Sequence, residues 1–215
     1  MSSKKDPKLT YAQSSDIKSR TYLEYRKDMK KKAIVELEIM NWIENKVKGI
    51  LRRTDIIVEK SGGDKFLWFL RGGGITTKPD FVVKTQKGEN IFFIEFQYGN
   101  RENLEYFDFK ISKVSKKKKK SNIREPYKDR FFICVLKNSL RYAFITPEWI
   151  LENGRIDVVP AWGSRQAYRV PREKFERVLQ RDDTLKFYID IIDAKIKILD
   201  FHMGKRIFQG ITRGY

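Results

Sequence analysis

Pro79-Asp80-Phe81-Val82-Val83-Lys84 and Ile91-Phe92-Phe93-Ile94-Glu95-Phe96-Gln97 are two short runs of strand-forming residues. The break between them, Gln86-Lys87-Gly88-Glu89-Asn90, is turn-forming in composition. The pair therefore predicts two adjacent antiparallel strands, with Asp80 at the start of one and Glu95 near the end of the other. Fourteen residues separate the two acids in the chain, and the hairpin brings them together. Side chains alternate along a strand, so Glu95 and Gln97 share a face and Phe96 points the opposite way. Two carboxylates and an amide oxygen on one patch make a hard-oxygen site suited to Mg²⁺.

Outward from this pair, the chain reads as helices alternating with strands. Ala33, Leu37, Met40, Ile43, Val47 and Leu51 recur at helical spacing and predict a helix over about 30–48, with Gly49 near its end. Strand-like runs at 55–59 and 66–71, joined by Ser61-Gly62-Gly63-Asp64, predict a hairpin, and Gly72-Gly73-Gly74 predicts a plain loop. After Gly99-Asn100, the stripe Leu104, Phe107, Ile111 and Val114 predicts a helix that runs into the basic loop 116–120. Strands are expected at 130–136 and 141–145, and Thr146-Pro147 has the form of an N-cap with proline in the first helical position, closed by Gly154. The tail reads as strands at 156–159 and 167–170, a helix over 171–180, and a helix over about 184–200 with the stripe Leu185, Tyr188, Ile192, Ile196 and Leu199. That last stripe suits a core face or a homodimer contact. The fold class expected is α/β, a mixed central sheet flanked by helices, in a single domain: an arm over 1–27, a core over 28–146 and a C-terminal elaboration over 147–215.

Composition narrows the chemistry. The 215 residues include 46 Lys and Arg against 28 Asp and Glu, a formal net charge of +18, which points to an anionic partner, nucleic acid first. A solvated basic surface is the alternative. The single histidine, His202, excludes sites built on two or more histidines, and the single cysteine, Cys134, excludes an internal disulfide or a cysteine zinc site. Cys134 lies within Phe131-Phe132-Ile133-Cys134-Val135-Leu136, a run that reads as buried strand. Apolar runs such as Phe66-Leu67-Trp68-Phe69-Leu70 are far too short to span a bilayer, and Met1-Ser2-Ser3-Lys4-Lys5-Asp6 lacks a secretory apolar segment, so no membrane partner is expected.

Phosphodiester hydrolysis requires a held divalent cation, an in-line water and stabilisation of the leaving oxygen. Asp80 and Glu95 are the natural metal ligands, with Gln97 beside them. A carboxylate on the first helix could complete the set. At about 100° per residue, Glu36 and Glu44 fall near the edges of the apolar arc and Glu38 on the opposite side. Glu36 is preferred because it lies nearer the helix N-terminus, and a surface position at the helix boundary is its alternative.

The order of these elements resembles the PD-(D/E)xK nuclease superfamily over about 36–136, roughly half the chain. Pro79-Asp80 corresponds to the first half of the motif, Glu95 to its acidic residue and Gln97 to its lysine position. The run Glu95-Phe96-Gln97-Tyr98-Gly99-Asn100 is similar to the ExQ element of type II restriction endonucleases that cleave GATC-containing sites. The resemblance implies a restriction-endonuclease-like core and a Mg²⁺-dependent enzyme, with Mn²⁺ able to substitute, that cleaves double-stranded DNA as a homodimer in a prokaryotic cytoplasm. It also implies that Lys84, Arg101, Lys110, Lys113 and Lys116, Lys117, Lys118, Lys119 and Lys120 face the DNA backbone. Arginines in the tail, Arg165 or Arg169, or Arg124, are the candidates for reading bases. The lysine run has a disordered, solvated loop as its alternative. For the whole chain, the alternatives are a structure-selective, homing or repair nuclease of the same fold, a non-catalytic nucleic-acid-binding protein, or an RNA binder using its aromatics as stacking platforms.

Overall fold

The computed structural model describes residues 22–61, 78–100, 104–118, 123–162 and 165–211. It is mixed α/β. A long helix α1 (Tyr22–Leu51) leads into strand β1 (Ile56–Lys60), followed by β2 (Phe81–Thr85) and β3 (Asn90–Gly99). β4 (Tyr106–Lys110), a single-turn helix α2 (Ile111–Val114), β5 (Ser115–Lys117) and β6 (Arg124–Pro126) come next. β7 (Arg130–Leu136), β8 (Arg141–Ile145), α3 (Pro147–Asn153), β9 (Arg155–Val159) and a 3-10 turn (Pro160–Trp162) precede β10 (Arg165–Pro171). The described chain ends with α4 (Arg172–Glu176), β11 (Gln180–Arg181) and α5 (Leu185–Ile211).

The central sheet has six strands in the order β1-β2-β3-β7-β8-β11. All its pairs are antiparallel except β3 with β7, which run parallel with Glu95 opposite Phe132 and Gln97 opposite Cys134. β7 is apolar after its first residue and buried along nearly its whole length, as a central strand covered on both faces must be. One face carries Ile56, Val58, Phe81, Val83, Phe92, Ile94, Ile133, Val135 and Tyr142, packed against Val35, Ile39, Trp42, Ile43 and Val47 of α1 and Leu185, Ile189 and Ile192 of α5. The other face carries Phe132, Cys134, Leu136, Ala143 and Ile145, covered by Phe107, Phe109, Val114, Ile150, Tyr168, Val170 and Phe175. This second cover is built on a small sheet, β4-β10-β9, with Phe107 and Phe175 stacked at 3.8 Å between ring centroids.

Several sequence expectations need correction. The helix expected from Leu104 through Val114 is instead strand β4 followed by the one turn of α2. Tyr106-Phe107-Asp108-Phe109-Lys110 alternates with period two, and pairing with β10 buries Phe107 and Phe109 fully on one side. The helix expected over 171–180 is only α4, after which Gln180 and Arg181 pair with β8. On α1 the expected stripe holds at Ile43 and Val47, which are core, and fails at Leu37, which is 63% exposed while Val35, Ile39 and Trp42 take core positions. Arg52, at φ 51°, makes the left-handed turn after α1, a role expected of the glycine signal at Gly49. β1 pairs with β2, and the run 66–71 expected to pair with it lies outside the described residues, as do the triple glycine and most of the arm. Lys116 and Lys117 belong to β5, paired with β6, so the basic run begins as strand. Of the last stripe, Leu185 and Ile192 are core, packed on α1 and the sheet.

The α3 boundaries match the expectation. Thr146 Oγ1 accepts from the Trp149 amide at 3.1 Å, Pro147 sits in the first turn, and the Gly154 amide donates to Ile150 O. A β-carbon on Gly154 would lie 2.8 Å from Ile150 O and 3.1 Å from Val170 Cγ2. Backbone must shift to admit it, so Gly154→Ala is expected to cost about 1–3 kcal/mol and to lower the urea midpoint without changing the slope of the transition.

Candidate active site

β2 stops short and β3 continues. The last facing pair is Phe81 with Ile94, and one register step further sets Asp80 against Glu95. Beyond that point β3 lacks β2 as a partner, and the Phe96 amide is instead taken by Asp80 Oδ2 at 2.9 Å. Asp80 therefore caps the truncated pairing and turns its second oxygen outward, where Lys32 Nζ lies 3.3 Å from Oδ1. The same ammonium lies 3.3 Å from Glu36 Oε1. Glu36 reaches this spot from α1, is only 2% exposed, and meets Lys60 Nζ at 2.5 Å through Oε2. Its Oε1 is buried without a hydrogen bond. Glu44, the other helix carboxylate considered, is used structurally: it accepts from the Val58 amide at 3.0 Å and from Lys48 at 2.6 Å.

Glu95 is held on both oxygens. Lys113 Nζ lies 3.0 Å from Oε2 and Arg130 donates to Oε1 at 3.1 Å. Burial, against the pull of Lys113 and Arg130 and with Asp80's charge adding to it, raises the Glu95 carboxyl to about 7. Gln97 donates to Asp108 O at 3.4 Å and faces Cys134 Sγ across 3.9 Å, which anchors its amide to the wall formed by β4 and β7. Glu36, Asp80, Glu95 and Gln97 all line one cavity of about 560 Å³, together with Lys32, Lys110, Lys113, Tyr98 and Trp162.

The site is thus a carboxylate cluster interleaved with lysines. The donor types suit a hard divalent cation. Among the described residues, however, no three His, Cys, Asp or Glu side chains converge as a ready ligand set. Lys32 stands between Asp80 and Glu36, so a cation shared by those acids requires that side chain to swing aside. Glu36 Oε1 is buried without a hydrogen bond and burial raises Glu95, so both acids retain lone pairs that a divalent ion could take, and in this respect the residues fit a metal.

The other expected DNA-facing residues are dispersed. Lys110 lies at the cavity, and Lys84 pairs with Glu59 at 2.6 Å in a neighbouring groove. Lys118 is exposed and paired with Glu125, and Arg124 is half-buried in β6. Arg165 is exposed on β10, whereas Arg169 is tied to Asp108 at 2.9 Å and stacked 4.4 Å over Tyr106. Arg101, Lys119 and Lys120 lie outside the described residues. Cys134 is buried in the core as its surroundings suggest, and His202 is exposed on α5. Sequence reading missed Lys32 and Arg130. Lys32 stands four residues before Glu36 on the helix, a spacing that does signal contact. Arg130 carries no local signal, because only the parallel pairing of β7 with β3 brings it near Glu95. Among the described residues no helix is long and apolar enough to cross a membrane. In comparisons with known proteins, no family model, no curated protein and no solved structure matches the chain.

Proposed function

We propose that the protein is a Mg²⁺-dependent endonuclease acting on DNA, of the restriction-endonuclease-like type, with a sequence-specific restriction enzyme as the leading form. The observation that carries this reading is that Asp80, set opposite Glu95 by the β2–β3 register, lines one lysine-rich cavity with Glu95 and with Glu36 of α1, in a chain of net charge +18. Asp80 and Glu95 would hold the ion, with Glu36 completing the set and Mn²⁺ able to substitute for Mg²⁺. When bound, the ion supplies a water of lowered pKa and neutralises charge developing on the phosphate.

The chain's own residues supply the rest. Gln97 stands where the resembling motif has lysine, and a neutral amide orients a water but takes up no proton. Lys113, entering from α2, brings an ammonium to Glu95 that Gln97 lacks. It is suited to holding a phosphate oxygen or the attacking water beside that carboxylate. Lys32 and Lys110 line the same wall and attract the polyanion. A homodimer would follow for an enzyme reading a two-fold symmetric site. Digestion of phage DNA in Mg²⁺, with sequencing of the ends, tests the reading. Discrete fragments with one common end sequence support a restriction enzyme, random or junction-specific nicking supports a structure-selective nuclease, and intact DNA rejects both.

The raised Glu95 gives a pH signature. An acid whose folded pKa is raised favours the folded state when protonated, so its contribution is complete below about 4.5 and is lost as pH climbs through about 7. The metal-free fold should lose roughly 3 kcal/mol across that interval. A divalent ion needs the ionised carboxylate, so below about pH 7 binding must displace a proton. Mn²⁺ affinity, followed by electron paramagnetic resonance, is expected to rise about tenfold per unit up to that pH and then level off. A flat profile between pH 5.5 and 8.5 would count against Glu95 as a ligand.

A further inference from the structure

A second cavity, of about 580 Å³, lies beside strands β1 and β2, on the sheet face away from α1 and α5. Val82, Lys84 and Phe93 form its floor and Lys60, Tyr127 and Arg130 stand among its walls. The basic lining, Lys60, Lys78, Lys84 and Arg130, outweighs the acidic one, Glu59 and Asp129. Arg130 is the notable member. Its residue is nine-tenths buried, its guanidinium lies 4.1 Å over the Tyr127 ring, and one terminal nitrogen is committed to Glu95 and Lys113 O. Its Nε is buried with no hydrogen-bond partner. A buried guanidinium N–H left unsatisfied is costly, and an anion in the adjoining groove would satisfy it.

We propose that this groove is a second phosphate site, linked to the carboxylate cavity through the Glu95–Arg130 contact, and that it takes a backbone phosphate of a bound polynucleotide. Lys84 and Lys60 supply charge from the open side and Arg130 the directed donor from the closed side. Only the choice of a polynucleotide phosphate rests on the nuclease reading; the anion site itself does not. Because Arg130 lines the groove and also holds Glu95 Oε1, an anion in the groove draws its positive charge away from Glu95. Filling the groove and loading a cation at Glu95 are then mutually favourable, and by linkage the effect is reciprocal.

The test is made in EDTA, without turnover, so that its failure and a failure of catalysis are told apart. Arginine Nε–H resonances of the ¹⁵N-labelled full chain are followed while inorganic phosphate is added, with the Arg130 signal assigned by its loss in Arg130→Lys. Saturable movement of that resonance is expected, and Lys84→Met, a change at a half-buried position outside the apolar core, should weaken the saturation by about tenfold. A short DNA duplex forms the second arm. A matching loss of duplex affinity in Lys84→Met identifies the ligand as a backbone phosphate, and a loss confined to inorganic phosphate identifies a free phosphate and overturns the polynucleotide assignment. An Arg130 resonance that stays fixed while others move, or equal binding by wild type and Lys84→Met in both arms, overturns the site.

Discussion

Asp80→Asn and Glu95→Gln should each reduce Mg²⁺-dependent DNA cleavage by on the order of 10³-fold, while duplex binding in Ca²⁺ stays within a few-fold of wild type. The amide variants are the informative ones. Asp80 accepts the Phe96 amide at the point where β2 gives out, and it also meets Lys32. Alanine would strand that N–H and free the ammonium, a loss of about 2 kcal/mol that mixes folding with chemistry. Asparagine keeps one acceptor oxygen for the Phe96 amide and gives up the charge and the acceptor that meets Lys32. Glutamine at 95 likewise preserves shape beside Lys113 and Arg130. Turnover within threefold of wild type in either variant, measured at saturating Mg²⁺, would show that the carboxylate pair is not the catalytic centre.

The largest stability effect is expected well away from the cavity. Asp182→Ala should destabilise the fold by about 3 kcal/mol, a fall in melting temperature of about 9 °C for a chain of this size. Asp182 is buried just before α5 and accepts from Trp42 Nε1 at 2.8 Å, from Thr184 N at 3.0 Å and from Thr184 Oγ1 at 2.7 Å, with Lys46 Nζ at 2.6 Å. One carboxylate thus starts the last helix and fixes the largest core side chain of the first. Burial opposes its ionisation, but Lys46, Thr184 and Trp42 prevail and hold it at about 2. A depressed acid contributes stability that is complete above its unfolded value, near 3.8, and is lost as pH falls through about 2. The gap between wild type and variant should therefore be full at pH 5 and shrink below pH 4. Equal unfolding midpoints at neutral pH would remove this residue from any role in fixing α1 to α5.

What the sequence revealed and what it hid divide along a physical line. The β2–β3 hairpin, β7, β8 and the capped α3 are local, and each carries its own periodicity or cap, so Asp80 and Glu95 could be paired from the sequence alone. Segment 104–114 misled because its apolar residues satisfy both periods over a short span. Only pairing with β10, some sixty residues later, favours strand. The face of α1 was misjudged for a related reason. Leu37 fits the helical stripe, but the sheet and α5 pack on Val35, Ile39 and Trp42, and Glu36 lies buried beside them. Of the basic residues that meet these acids only Lys32 carries a local signal, its i, i+4 spacing to Glu36; Lys60, Lys113 and Arg130 come from three other elements that only the fold brings together.

The packing of α5 on α1 also bears on how the protein is made. Lys31 pairs with Asp200 at 2.9 Å and Glu38 with Lys195, so α1 is clamped by a helix synthesised well after it. Until α5 has been made, Val35, Ile39 and Trp42 lack the cover that Leu185, Ile189 and Ile192 give them. Glu36 stands on that same early helix, so α1 gains its full packing over the β2 end only when α5 joins it.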